Sequence, residues 1–451
     1  MKHETTFVQK LARRAANIRF NSIPDETRHL MKWAVLDRLG CGLGAKRLGI
    51  GEELLELLVG AGGPAESTLW GDGRKVSSPH AALANGAISS HLEFDSHDSM
   101  IPAAIALAET RHIEGRDLMV SLVAGYQVGG IVRKLLASDL EKHGLHWPAH
   151  LAVFPSTTAC SRILGLDADR TADALALVGC LSPVSPFEAF TRGAGIKDFY
   201  GGWGNMLGIV AARLGEAGIS GPDTLFEGER GLGRIWLGRP PSTEQLEAAL
   251  LDEGSARPRV HIKPYPGCTA THPALSALEL ILAEHPDISP DDVSSIEVLT
   301  YDFGAALSEA SSFDTPISAK TNIPFLVSAM ITYGQLLPEH TERPCIEDQG
   351  LRKLAMKVEV RPLSDSRRPL YERSRPAIVR IRLRGGVQLE ASVEDPKWNT
   401  VNPPSDEEVS EKFRRLVGDL LSEDQREELH DTIMDLENVA DVREIAELTI
   451  P

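Results

Sequence analysis

Three side chains with proton-transferring or cationic groups lie in segments rich in glycine, proline or other small residues. His146 occurs in the segment HGLHWP, Lys197 in GIKDFYGG, and His272 at the end of KPYPGCTATH. A histidine can exchange a proton with a substrate near neutral pH, and a lysine can hold a carboxylate. The three residues together predict a site that binds a carboxylate and moves a proton beside it.

The densest polar segment of the chain is SHLEFDSHD, which follows the small residues ANG. Its histidines and carboxylates are close enough in sequence to bind a metal ion. This interpretation uses His91, Asp95, His97 and Asp98. The other interpretation is the carboxyl end of a helix with solvated charges, and the segment alone leaves both open.

Each candidate also has an ordinary structural interpretation. His146 could be a core histidine with satisfied hydrogen bonds, and Lys197 could be a surface lysine. His272 could cap the helix expected after it, and Arg192 could be a structural ion-pair partner. The candidates therefore gain weight only if they converge on one site.

The composition is that of a globular protein with a soluble surface, because 42% of the residues are hydrophobic and 25% are charged. A chain of 451 residues exceeds one ordinary core, so we expect two domains. The net charge of −17, from 47 basic and 64 acidic residues, argues against nucleic acid or an anionic membrane as a partner. A carboxylate site in this chain must therefore be locally basic.

The cysteines and the most apolar segments give expectations about location. The five cysteines are widely spread and include no C-x-x-C pair, which predicts neither a zinc ribbon nor a disulfide framework. The first residues lack the apolar core of a signal peptide. The segment 118–137 is the most membrane-like, but Gln127, Arg133 and Lys134 favour a buried helix. We expect a reducing cytoplasm as the location.

Several well-known catalytic motifs do not occur in the sequence. It contains no G-x-x-x-x-G-K-[ST] and no G-x-G-x-x-G after a predicted strand. It also contains no H-E-x-x-H and no G-x-S-x-G. These absences weaken nucleotide-dependent, zinc-peptidase and α/β-hydrolase interpretations.

The hydrophobic pattern changes along the chain. The first part is mostly helical in period, whereas residues 266–404 combine helical patterns with alternating, strand-like runs. Two of these runs flank the pair Gly385-Gly386, which is typical of a hairpin. We expect a multidomain chain: a large all-α helical domain formed by both ends, 1–265 and 405–451, and a smaller α+β lid domain inserted between them.

Several short motifs follow one another in a characteristic order, and their order and spacing are more specific than any one of them. They are LDRLGCGLGA (36–45), ANG (84–86), LEFD (92–95), GLH (144–146), LGL (164–166), Lys197 with Gly202, and KPYP (263–266) through His272. In these features the chain resembles the MmgE/PrpD family of 2-methylcitrate dehydratases, cis-aconitate decarboxylases and iminodisuccinate epimerases. The resemblance implies a metal-free, cofactor-free lyase or isomerase for small di- or tricarboxylates. It also implies a homodimer.

The resemblance carries roles onto individual residues. It implies that His146 is an acid/base, Lys197 a carboxylate clamp, and His272 a second acid/base or a binding group. Asp95 would orient a histidine or the substrate. Loss of a proton beside a carboxylate builds negative charge, so nearby fixed cations and donors are needed. The implied substrate-binding residues are Glu93, His97, Arg192, Lys263 and Gly202.

The chain departs from the family pattern around the acidic segment. The family usually has two adjacent acids before a loop that ends in His-Pro-Gly, whereas Ser96 follows Asp95 here. The loop that leads to Pro102 is shorter and lacks its histidine, for which His97 is the nearest substitute. Phe325 stands where some members have a tyrosine. These changes leave dehydration, decarboxylation and epimerisation open, beside a metal-dependent hydrolase and an inactive helical scaffold.

Overall fold

The computed structural model describes residues 5–96, 100–310, 312–363, 375–399 and 401–451, without the side chains of 255 and 256. His97 and Asp98 lie outside the described residues. Helices dominate the first 260 residues. They are α1 (Phe7–Ala16), α2 (Asp25–Arg47), α3 (Glu52–Gly60), α4 (Ser78–His91), α5 (Ile101–Arg111), α6 (Gly115–Lys142), α7 (Trp147–Leu151), α8 (Val153–Ile163), α9 (Ala168–Leu181), α10 (Glu188–Thr191), α11 (Ile196–Glu216), α12 (Leu232–Leu237), α13 (Thr243–Leu251) and α14 (Glu253–Ala256).

The remaining elements form a mixed segment followed by a helical carboxyl end. A short antiparallel pair, β1 (Ser67–Thr68) and β2 (Lys75–Val76), interrupts the first helices. The mixed segment contains α15 (His272–Glu284), β3 (Val293–Thr300), α16 (Asp302–Ala310), α17 (Pro316–Ala319), α18 (Ile323–Tyr333), α19 (Arg343–Ile346), α20 (Gln349–Ala355), β4 (Val358–Pro362), β5 (Ala377–Leu383) and β6 (Gln388–Val393). The carboxyl end contains α21 (Asp406–Val417), α22 (Glu423–Met434) and α23 (Arg443–Glu447).

The four longer strands form one sheet in the order β4-β3-β5-β6. Strand β3 is parallel to β4 and antiparallel to β5, and β5 pairs with β6 as a hairpin. Gly386 has a φ of +84°, a conformation that glycine adopts without strain, so the predicted turn at Gly385-Gly386 is confirmed. Helix α15 packs against this sheet.

Buried apolar side chains form two main cores. The larger core runs from Phe7 to Ile262 and takes further members from Trp398 to Ala446, so both chain ends build it. The smaller core runs from Tyr265 to Ile381 and includes the sheet. A third, small cluster joins Phe190 of the helical part to residues of the mixed segment. We call the two parts the helical unit and the α+β unit.

The carboxyl end reaches the helical unit through α21, which packs on α2. Two glycines of α2 permit the contact, because a Cβ on Gly40 would lie 3.1 Å from Phe413 and one on Gly44 would lie 2.9 Å from Leu416. Helix α6 contains the segment 118–137. Most of its residues are buried within the protein, as predicted for this segment from its polar residues in place of a membrane span. Among the described residues, no helix is both long enough and apolar enough to cross a membrane.

Helices α4 and α11 approach each other closely and set the frame of the site. A Cβ on Gly86 would lie 2.7 Å from the Cα of Gly202, and a Cβ on Gly202 would lie 2.2 Å from the backbone oxygen of Leu83. Only glycine fits at such distances. The close approach brings the carboxyl end of α4 next to the amino end of α11, where Glu93 and Lys197 lie.

Candidate active site

A cavity of about 60 Å³ opens between the end of α4, the turn that follows it, α7 and the first turns of α11. Four of the residues predicted for the site therefore converge: His146, Lys197, Asp95 and Glu93. The complete lining is Ser90, Glu93, Asp95, His146, Pro148, Ala149, Lys197, Tyr200 and Gly201.

Glu93 is held between two buried lysines. Lys197 Nζ donates a hydrogen bond to Glu93 Oε2, and Lys263 Nζ donates to Glu93 Oε1 at 3.0 Å and to the Glu93 backbone oxygen at 2.9 Å. Glu93 has a φ of +50°, a left-handed conformation that costs energy for a residue other than glycine. The backbone N–H of Gly267 donates to the same Glu93 oxygen at 3.0 Å. These bonds keep the strained turn in place.

Two buried lysines, Lys197 in the cavity wall and Lys263 behind it, flank Glu93. Burial lowers the pKa of Lys197 to about 8, although Asp198 opposes this effect; Lys263 lowers the pKa further. Burial also lowers the pKa of Lys263. Glu93 accepts hydrogen bonds from both ammonium groups, and Asp95 is the second carboxylate of the lining. The charged residues of the lining are thus Lys197, Glu93 and Asp95, and Asp95 is in turn paired with Arg38.

Asp95 is bound to a buried arginine of α2. Arg38 forms an ion pair with Asp95 at 2.7 Å and donates to the backbone oxygen of Ser96 at 2.5 Å. The neighbouring Asp37 accepts from the N–H of Ser96 at 2.7 Å and pairs with Lys412 of α21 at 2.6 Å. The turn that carries Asp95 is therefore fixed by charged groups from both ends of the chain.

His146 lies at the start of α7 in an aromatic surrounding. Its backbone N–H donates to the backbone oxygen of Ser185 at 2.7 Å. The ring centroids of Phe187, Phe190 and Tyr200 lie 5.8, 5.4 and 6.0 Å from the imidazole. Burial lowers the pKa of His146 to about 4, and the positive charge of Lys263 adds to this. Nδ1 is buried and has no hydrogen-bond partner among the described residues. His146 is therefore neutral at pH 7 and able to accept a proton.

His272 lies behind the cavity and is not part of its lining. Its Nε2 donates to the backbone oxygen of Gly267 at 3.1 Å, and its ring packs edge-on against Tyr265 with the centroids 5.6 Å apart. Burial, and then Lys263, hold the pKa of His272 well below its ordinary value. The structure thus places His272 under the Gly267 turn, which in turn binds Glu93.

Three other predicted binding residues, Arg192, Gly202 and Lys263, are not part of the cavity lining. The side chain of Arg192 is 77% exposed and forms an ion pair with Glu188 at 2.9 Å, which fits the alternative that Arg192 is an ion-pair partner. Gly202 faces α4 and serves helix packing. Lys263 is fully buried and reaches the site only through Glu93. His97 lies outside the described residues.

The acidic segment does not assemble a metal site in the part of the chain that the structure describes. His91 Nδ1 lies 2.7 Å from Asp198 and its Nε2 lies 3.2 Å from Glu342, whereas Asp95 pairs with Arg38. Within the described ranges, no group of three histidine, cysteine, aspartate or glutamate residues could hold a metal ion. The two described members of the hydrolase interpretation thus have separate protein partners.

Four residues in or behind the site were not assigned to it from the sequence. Tyr200 lines the cavity and donates to the backbone oxygen of Pro186 at 3.2 Å. Arg38 and its neighbour Asp37 are charged residues within the apolar middle part of α2, 33–45, and this signal could have identified them. Lys412 gives no such signal, because it lies 375 residues from Asp37 in sequence.

The fold and the cavity define a class of protein with a helical unit, an α+β unit and a small cavity lined by a histidine, a lysine and two carboxylates. The chain belongs to the MmgE/PrpD family: the MmgE/PrpD N-terminal domain matches residues 9–245 and the MmgE/PrpD C-terminal domain matches residues 265–438. The family predicted from the motifs is therefore confirmed.

The chain is similar to several cis-aconitate decarboxylases. The protein of Aspergillus terreus is 23% identical in an alignment that covers 96% of this chain and 94% of that protein. The human protein is 25% identical in an alignment that covers 83% of this chain and 80% of that protein. The similarity therefore spans both units.

Proposed function

We propose that the protein is a metal-independent lyase that transfers a proton next to a carboxylate of a small di- or tricarboxylate, such as cis-aconitate or 2-methylcitrate. The observation that carries the proposal is that a neutral histidine and a cationic lysine face the same small cavity. His146 and Lys197 supply the proton acceptor and the positive charge that this chemistry needs. The names of the relatives support a lyase.

The roles follow from the geometry. Lys197 binds the carboxylate beside the reacting carbon and stabilises the charge that develops there. His146 removes the proton in a dehydration. In a decarboxylation the ammonium group of Lys197 would supply the proton that takes the place of carbon dioxide, and His146 stays neutral. Tyr200, whose ring packs near His146, borders the same space. Asp95 stays paired with Arg38 and orients the turn, and His272 supports the wall from behind.

The size of the cavity bears on how substrate enters. A volume of about 60 Å³ holds roughly four to six water molecules, which is less than a tricarboxylate requires. We propose that the α+β unit moves as a lid, so that the site opens for binding and closes for catalysis. Closure would exclude water and strengthen the interaction between Lys197 and the substrate.

One observation favours epimerisation as a second candidate. An epimerase needs one group to remove a proton and a second group to return it on the other face. The pKa of Lys197 is lowered to about 8, so this lysine can donate a proton near neutral pH while His146 accepts one. A dicarboxylate such as iminodisuccinate would then be the substrate.

The protein is further proposed to be a cytoplasmic homodimer that uses the face of α11. Ile196, Tyr200, Trp203 and Leu207 follow one helical stripe, and Trp203 is 42% exposed. Copies that each carry a charge of −17 repel each other, so they can approach only through a face without carboxylates. We propose that a second copy covers this stripe, next to the mouth of the cavity.

The deciding experiment is proton NMR in deuterated water. Purified protein is incubated separately with citrate, methylcitrate, cis-aconitate and iminodisuccinate. Deuterium that enters beside a carboxylate reports proton transfer even without net turnover, and the products separate lyase from epimerase. No exchange with any of the four would refute the proposal and support an inactive scaffold. Full activity after chelation is expected for a metal-independent enzyme.

Two variants test the assignments in the same assay. Lys197→Ala and His146→Ala should each abolish exchange while circular dichroism remains unchanged. Lys142→Ala is the matched control, because Lys142 is exposed and pairs only with Asp139 of its own helix in the described structure. Exchange that persists in either active-site variant contradicts the role given to that residue.

A further inference from the structure

His91, the last residue of α4, lies between two carboxylates from different units. Its Nδ1 is 2.7 Å from Asp198 of α11, and its Nε2 is 3.2 Å from Glu342 of the α+β unit. Lys320 of the α+β unit donates to Glu342 at 2.8 Å and to the backbone oxygen of His91 at 2.8 Å. All four side chains are mostly buried, so solvent screens these contacts little.

The arrangement fits a charged imidazole ring. A neutral imidazole has one N–H and one lone pair, so only the protonated ring donates to both carboxylates. With His91 protonated, two cations balance two anions; with His91 neutral, the group keeps a buried negative charge. Burial and Lys320 lower the pKa of His91, but the hydrogen bonds to Asp198 and Glu342 outweigh them and raise it above 6.5.

The same ring connects the elements that hold the candidate site. Helices α4 and α11 belong to the helical unit, whereas Lys320 and Glu342 flank residues of the smaller core. Asp198 directly follows Lys197 in the first turn of α11. The bond between His91 and Asp198 thus ties the end of α4 to the turn of α11 that carries Lys197.

We infer that His91 is a positioning residue whose protonated ring fastens the α+β unit to the first turn of α11 and so fixes Lys197. The docking part of this inference is independent of the proposed function, and only the effect on turnover rests on it. A group whose pKa is raised in the folded protein stabilises it fully below the ordinary pKa and loses this effect as the pH rises through the raised value. Docking should therefore weaken with rising pH.

The test combines two measurements on the full chain. Side-chain ¹⁵N NMR of histidine-labelled protein gives the pKa of His91, with the resonance assigned by its loss in His91→Gln. Hydrogen exchange read by mass spectrometry follows peptides that cover 196–200 and 338–346. At pH 6, His91→Gln should exchange about tenfold faster in both peptides, the factor expected for a charge-assisted hydrogen bond. At pH 9 the two proteins should converge.

Matched variants keep the test decisive. Glu342→Gln removes the carboxylate on the other unit and should reproduce the faster exchange, even if His91→Gln folds poorly. His112→Gln removes a histidine that pairs with Asp441 at 3.4 Å on the surface of the helical unit, and it should change neither peptide. In turnover, His91→Gln at pH 6 should lower kcat/KM to the level that the wild type reaches once His91 has lost its proton.

Particular outcomes overturn the inference. A His91 pKa at or below 6.5, or unchanged exchange at both peptides in His91→Gln and Glu342→Gln, would refute it. An equal effect of His112→Gln would show a general loss of stability instead. If the exchange results hold but no carboxylate is turned over by the wild type, the proposed function fails and the docking role of His91 stands.

Discussion

His146 and Lys197 should give the activity two titration limbs. His146 accepts a proton only when neutral, so activity should rise with pH through its pKa of about 4. Lys197 binds a carboxylate only when charged, so activity should fall as the pH passes its pKa of about 8. We expect kcat/KM, measured from pH 3.5 to 9.5, to rise near pH 4 and to fall on the alkaline side, where loss of the His91 proton adds to the fall.

A conservative variant separates the two limbs. Lys197→Arg keeps a cation that does not lose its proton below about pH 12, so the part of the alkaline fall that belongs to Lys197 should disappear. The acid limb and the fall that follows loss of the His91 proton should stay. An alkaline limb that persists unchanged in Lys197→Arg would assign it to another group.

Lys263 should matter although it does not reach the cavity. Lys263→Met removes one of the two cations on Glu93 and should lower the free energy of unfolding by about 3–5 kcal/mol, the cost of breaking a buried pair. It should also raise the pKa of Lys197, because the charge of Lys263 lowers it. The measurements are urea denaturation and the position of the alkaline limb. Lys142→Met, on an exposed helix face, should change the free energy of unfolding by less than about 0.5 kcal/mol and leave the alkaline limb where it is.

Residue types and spacing were sufficient to find four residues of the lining. They did not show which of the other candidates face the cavity and which lie behind it or on the surface. Arg192 and Lys197 lie in the same glycine-rich segment, yet one is exposed and the other is buried. His272 resembles His146 in sequence context, but its Nε2 is used by the Gly267 turn. Which side chain faces the cavity depends on the packing of helices that are distant in sequence.

At the scale of elements, the contact between α4 and α11 should be sensitive to a single methyl group. Gly202→Ala places a Cβ against the Leu83 backbone oxygen and should cost about 1–3 kcal/mol or more, because neither helix can move away alone. The change should also reduce turnover, since it displaces Lys197 from the turn that carries Glu93.

Gly195→Ala is the control for this element. Nothing lies within 4 Å of a Cβ at Gly195, which immediately precedes the same helix. Its free energy of unfolding should change by less than about 0.5 kcal/mol. Thermal unfolding of both variants decides the matter: equal stability would show that the tight contact is not needed.

Local patterns identified the elements well. The alternating runs became β3 to β6, and the glycine pair became the hairpin turn, because strand period and turn chemistry are local properties. The order of strands in the sheet and the packing of α21 on α2 were not predicted. They depend on which surfaces meet, and a period in sequence does not contain that information.

At the scale of the whole molecule, the proposed dimer should depend on Trp203. Trp203→Asp places a charge in the exposed stripe of α11 and should convert a particle of twice 49.0 kDa into one of 49.0 kDa. The measurement is light scattering after size-exclusion chromatography. Met356→Asp, at an 86% exposed position of the α+β unit, should leave the mass unchanged. A wild type that is already monomeric would refute the dimer.

The helical period returns after the strand-like runs, and we therefore expected both chain ends to contribute to one core. The larger cluster has members from both ends. The small cluster around Phe190 was not expected, because its members are single apolar residues without a period. Contacts between units of this kind are visible only in three dimensions.

The bond from Lys412 to the backbone oxygen of Phe94 has a consequence for how the protein is made. The two residues are 318 positions apart, so the ribosome completes the catalytic turn long before it adds the lysine that holds it. A nascent chain, or a fragment that ends before α21, has the histidine and the lysine of the site but leaves Asp37 buried without its partner. We therefore expect the proposed activity only from a chain that has been synthesised almost to its end.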